Sequence, residues 1–149
     1  MSARPSEREL CYMSAEKARE NARRWFQQGE ADIKAAVGSA AAGSYEWACF
    51  QSQQAAEKAL KAFWHHNSLE PWGHSLIKLV QEYPNEADRS QLMALIDHAR
   101  HLDKLYIPTR YPDGLPDLTP SEAFSEADAS TAIAHARSII DWVSGRLSR

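Results

Sequence analysis

From Ala22 to Phe63 the apolar residues return every three or four positions, and the pattern breaks once, at Gly43-Ser44. A chain written this way must stack those residues on one helical face, stop, and begin a second helix. The first stripe is Ala22, Trp25/Phe26, Gly29, Ile33, Ala36/Val37 and Ala40, in a helix predicted over 15–42; Arg23, Arg24, Glu30, Asp32 and Lys34 lie largely off it. Gly43 supplies the stop and Ser44 an N-cap, and so short a link folds the second helix back antiparallel to the first. The second helix, predicted over 44–67, buries Ala48/Cys49, Ser52, Ala55/Ala56, Ala59/Leu60 and Phe63. Its small residues permit close helix approach, and Trp47, Phe50, Phe63 and Trp64 add bulk. Glu57 and Lys61, four apart in the favoured order, read as a pair on an exposed face.

Three further helices follow. A short one over 74–83 turns Leu76, Leu79/Val80 and Tyr83 inward, with His74 as its cap. Pro84-Asn85 separates it from a helix over 86–106 carrying Leu92, Leu95/Ile96, Ala99, Leu102 and Tyr106. Between Ile107 and Pro120 four prolines forbid regular helix, because each removes a donor and restrains the residue before it. This is the one long irregular segment, and such loops in compact domains carry function or are disordered. Ser125-Glu-Ala-Asp128 has the form of a capping box and opens a last helix with Ala129, Ile133, Ala136, Ile140, Val143 and Leu147 in a near-heptad seam. Valine is represented three times in 149 residues, and alanine dominates. The fold class is therefore all-α: a polar lead-in, 1–18, then a single bundle over 19–149. Most of the five tryptophans are expected inside it.

The balance of 17 basic and 20 acidic residues gives a net charge of −3, so no bulk positive field draws nucleic acid. Basic residues near the N-terminus are interleaved with acids, and from Pro112 to Ser130 the only charges are acidic. No signal-like or membrane-length apolar run occurs, so a cytoplasmic protein with reduced Cys11 and Cys49 is expected, Cys49 as a core residue. His98 and His101 sit near Asp97 and Asp103 without any HExxH-type motif, which favours ordinary helical histidines over metal ligands. His65-His66 falls at a helix C-terminus, where positive charge is welcome. Nucleophile elbows and phosphate-binding glycine loops are absent.

Two features remain. One is the ridge Gln53-Gln54-x-x-Glu57-Lys58-x-x-Lys61, with amides and cations at one- and two-turn spacing. The other is Tyr106-Ile-Pro-Thr-Arg-Tyr-Pro-Asp113, where stiff prolines hold Arg110 between two tyrosines. A fixed arginine can fork onto phosphate or carboxylate, and tyrosines can stack on a base. The plainer alternatives are a salt-bridged surface for the ridge and an arginine–carboxylate staple for the loop.

Five segments in order resemble the HEPN family, small helical-bundle proteins of prokaryotes with relatives in higher eukaryotes. They are Trp25-Phe-Gln-Gln-Gly-Glu-Ala-Asp-Ile-Lys-Ala-Ala36, Tyr45-Glu-Trp-Ala-Cys-Phe-Gln-Ser-Gln-Gln-Ala-Ala-Glu-Lys-Ala-Leu-Lys-Ala62, Gly73-His-Ser-Leu76, the Tyr106–Asp113 loop and Phe124-Ser-Glu-Ala-Asp-Ala129. The resemblance implies an up-and-down antiparallel bundle of four long helices plus one short helix, assembled as a homodimer. It also implies nucleotide binding and a minimal nucleotidyltransferase as partner, within a toxin–antitoxin or stress module. Other members are metal-independent RNases with an Arg followed four to six residues later by a His. Here Arg89 precedes His98 by nine positions, Arg100 adjoins His101, and no His follows Arg110 before His135, so that motif is absent.

The expectation drawn from the resemblance is a binding module without catalysis of its own and with no cofactor beyond a nucleotide such as ATP or GTP. Arg110, Tyr111 and Asp113, with Tyr106, Gln54, Lys58 and Lys61, would line its cleft. Arg110 would meet phosphate, Tyr111 would stack, and Asp113 would orient the arginine. The alternatives are an RNase toxin using Arg100 with His98 or His101, and a purely structural interaction bundle.

Overall fold

A computed structural model describes residues 3–148, with the backbone alone for residues 11–13, so the Cys11 thiol lies outside the described residues. The described residues contain no strand and form helices α1 (Glu7–Ala41), α2 (Tyr45–His66), α3 (Leu76–Gln81), α4 (Glu86–Leu92), α5 (Ile96–Asp103), α6 (Pro120–Ala123) and α7 (Glu126–Leu147). None of these is long and apolar enough to cross a membrane. The all-α bundle is as the sequence indicates, with three long helices and a fourth that is broken.

The turn between α1 and α2 is where the pattern breaks. Gly43 has φ +81°, its N–H donates to the Ala40 carbonyl at 3.1 Å, and the Ser44 N–H donates to the Ser39 carbonyl at 2.9 Å. These bonds close the last turn of α1, and glycine reaches that φ without strain. Ser44 holds the N-cap position of α2, but its side chain makes no capping bond. α1 itself starts well before residue 15. Ser6 and Glu9 form a reciprocal capping box, so residues 7–18 of the expected lead-in are helical, with 7–10 and 14–17 exposed.

α2 is the centre of the bundle, packed along both α1 and α7. Ala48, Ala55, Ala56, Ala59 and Leu60 are fully buried, and Cys49 joins them, its thiol pKa pushed up to about 12 by burial. The small residues allow α1 to lie close: a Cβ on Gly29 would stand 3.0 Å from the Ala55 carbonyl oxygen. The seam of α7 buries Ala129, Ile133, Ala136, Ile140 and Val143 as expected, and the Ser125–Asp128 box caps it. Of the tryptophans, Trp64 is buried, whereas Trp47 is 48% and Trp72 82% exposed. Trp72 follows Pro71 outside any helix, and Trp47 sits in the first turn of α2.

The helix expected over 86–106 is interrupted by a 3-10 turn at Met93–Leu95. The break lets the segment change partners: α4 packs on α3, and α5 lies between α3 and α7. α5 ends at Asp103, and Pro108, with no N–H to give the Lys104 carbonyl, bars a helix from running on through the loop. The cap of α3 is Ser75 and not His74. It is reinforced by Asp103, whose carboxylate accepts from Ser75 Oγ at 2.7 Å and from the Leu76 and Ile77 N–H groups at 2.7 and 3.1 Å.

Candidate functional site

A helix surrounded on most sides cannot turn all its polar residues to water. Gln53 of α2 is fully buried, and Glu57 and Lys61 are 4% and 9% exposed. The Glu57–Lys61 pair expected on an open face is thus an interior pair, because α1 and the 67–75 connection cover that side. Glu57 is its hub. The carboxylate forms an ion pair with Lys61 Nζ at 3.4 Å, accepts from Gln53 Nε2 at 3.3 Å, and lies 3.3 Å from His74 Nδ1. Gln53 also donates to the His74 carbonyl at 3.3 Å and accepts from Gln54 at 2.7 Å. Every buried side-chain nitrogen and oxygen among the described residues has a partner.

Both ends of this network run into aromatic rings. Lys61 Nζ lies 5.5 Å from the Trp25 ring centre, and Trp25 stacks on His65 at 5.5 Å. His65 and His66 do end α2, and burial pushes the pKa of both down. At the other end the ring of His74 stacks on Tyr106 at 4.9 Å. Tyr106 then fixes Arg110: its carbonyl accepts from Arg110 Nε at 3.0 Å and Nη2 at 2.7 Å. The rings of Phe50, Tyr106 and Tyr111 surround the guanidinium carbon at 4.4, 4.6 and 5.1 Å. Thr109 is buried and donates to the Leu105 carbonyl, tying the loop to the turn that follows α5.

The structure therefore links Gln54, Lys61, Tyr106, Arg110 and Tyr111 through Gln53, Glu57, His74 and Phe50. Two expected members stand apart. Lys58 forms an ion pair with Asp32 of α1 and lines an open hollow of about 320 Å³ with Arg24, Trp25 and Gln28. Asp113 is exposed on the 3-10 turn Pro112–Gly114 and makes no bond to Arg110 among the described residues. The arginine is oriented by a carbonyl, so neither Asp113 nor a carboxylate staple holds it. The members missed from sequence, Gln53, Glu57, His74 and Phe50, left one signal: Gln53 and Glu57 belong to the Gln/Lys ridge.

The residues of the RNase alternative are arranged otherwise. Arg100 pairs with Asp97 at 3.1 Å. His98 and His101 both face His135 of α7, the first through Nδ1 nitrogens 2.7 Å apart and the second through rings 4.3 Å apart.

A family model for the HEPN domain matches residues 22–146. Among solved structures, TT1696 from Thermus thermophilus is 38% identical, with 84% of this chain and 97% of that one covered and a TM-score of 0.78. ST0689, described as an archaeal HEPN homologue, is 37% identical over 85% and 98% of the chains, with a TM-score of 0.70. An HEPN domain protein of Thermotoga maritima is 31% identical over 85% and 98%, with a TM-score of 0.62. No curated protein matches the chain. The match spans the bundle from α1 to α7, the α2 network and the Arg110 loop alike, and the chain belongs to the HEPN domain family.

Proposed function

We propose that residues 19–149 act as a nucleotide-binding HEPN module without catalysis of its own, working as a homodimer in the cytoplasm beside a minimal nucleotidyltransferase. The observation that carries this reading is the state of Arg110. Its Nε and one Nη2 hydrogen are given to a carbonyl, its planes are covered by rings, and no carboxylate neutralises it among the described residues. A fixed guanidinium with free N–H groups beside the half-exposed ring of Tyr111 suits a phosphate and a base. The Trp25 hollow, lined by Arg24 and Lys58, lies beside the Lys61 end of the same network and offers further cations and a stacking face.

Calorimetric titration with ATP, GTP and their mono- and diphosphates tests the reading. Binding is expected for the wild type and is lost in Arg110→Ala; absent binding, or binding unchanged in the variant, overturns it. A second reading, a metal-independent RNase using Arg100 with His98 or His101, draws on the histidine pairing. Cleavage of RNA in the presence of EDTA that is lost in His101→Ala would favour it.

A further inference from the structure

Three histidines meet where α5 packs on α7. The Nδ1 atoms of His98 and His135 lie 2.7 Å apart, and the ring of His101 is tilted 30° to that of His135 at 4.3 Å. Two ring nitrogens at that distance share a hydrogen bond only while one of them lacks a proton. When both rings are protonated, both nitrogens donate, neither accepts, and two positive charges face each other beside a third imidazole.

No acid offsets this. On α5, Asp97 is paired with Arg100 and Asp103 is taken up by residues 75–77. Asp128, Arg137 and Asp141 on α7, Lys78 on α3, Glu46 and Glu57 on α2, and Lys104 after α5 form no hydrogen bond or ion pair with the three rings among the described residues. Burial lowers the pKa of His135, and His101 and His98 lower it further.

α5 carries the state of this cluster to the loop. Five residues after His98, Asp103 holds the start of α3 beside His74. Three residues later Tyr106 stacks on His74 and fixes Arg110 through its carbonyl.

We propose that His98, His101 and His135 form an acid-opened latch. With neutral rings, α5 is held to α7 and the Tyr106–Arg110 segment is ordered; with both paired rings charged, α5 parts from α7 and the segment loosens. The latch concerns the order of the loop and stands whatever Arg110 binds.

Amide hydrogen exchange of the full chain, corrected for intrinsic rates, tests it between about pH 7.5 and about pH 5, the range in which histidines titrate. Below the transition, protection over residues 96–111 is expected to fall about tenfold per pH unit, the slope of one linked proton, and by more than over residues 48–60, which report the smaller loss of global stability. In His98→Asn and His135→Asn, which keep a short polar group and cannot be charged, that acid loss disappears. Circular dichroism near neutral pH confirms that each variant is folded, and either one suffices. Unchanged wild-type protection over 96–111, or the same acid loss in a folded variant, overturns the latch.

Discussion

Arg110 has no carboxylate partner among the described residues, and its hydrogen bonds end on a carbonyl dipole. Glu57 shows the opposite arrangement at the other end of the network, where a buried acid and a buried cation depend on each other. The two side chains are 5% and 11% exposed. Removing the acid leaves Lys61 charged in the interior, so Glu57→Leu is expected to cost about 3–5 kcal/mol in urea denaturation. Adding Lys61→Met to that variant restores most of the loss, because two apolar groups replace a broken pair. A Glu57→Leu protein as stable as wild type would show that the pair contributes nothing. Arg110, Tyr106 and Tyr111 were legible in the sequence because prolines isolate them in one short loop. Glu57 and His74 were not, since their meeting depends on how the connection after α2 folds back over that helix. A surface ridge and a buried ridge have the same spacing, and only the packing of the neighbours separates them.

The elements obey the apolar period where a helix keeps the same neighbours, and depart from it where neighbours change. α2 and α7 keep nearly the expected spans, packed along other long helices, while α1 keeps only its expected end and starts earlier on an exposed stretch. The helix over 86–106 breaks where α7 joins α3 as a packing partner, which no local period encodes. The early start of α1 was legible in Ser6 and Glu9, a capping box that precedes the apolar stripe. Two glycines of α1 test the close approach to α2. At Gly29 a Cβ meets the Ala55 carbonyl at 3.0 Å, so Gly29→Val forces the helices apart and is expected to cost about 1–3 kcal/mol. At Gly38, exposed and with nothing within 4 Å, Gly38→Ala only removes backbone freedom from the unfolded chain. It is expected to stabilise by about 0.5–1 kcal/mol. Thermal melts of the two variants moving in the same direction would contradict this picture of the α1–α2 contact.

Across the whole molecule, three histidines at separate seams pull stability the same way with pH. His65 and His66 lie at the end of α2 and His135 lies between α5 and α7; burial lowers the pKa of all three. Arg19 adds to this at His66, while at His65 Glu70 opposes it and Lys61 assists. A group whose folded pKa lies below its unfolded value near 6.5 binds fewer protons when folded. Unfolding then takes up protons, and stability rises with pH across that interval. The contribution is complete above the unfolded value and is lost as pH falls toward the lowered folded ones. Thermal melts are therefore expected to show a steady decrease in Tm from about pH 7 to about pH 5, above the range where most carboxylates titrate. His135→Asn removes one of the three groups, and its Tm falls less steeply over the same interval. A flat wild-type profile, or a variant slope equal to that of the wild type, would mean that the charged rings are accommodated in the folded chain as well as in the unfolded one.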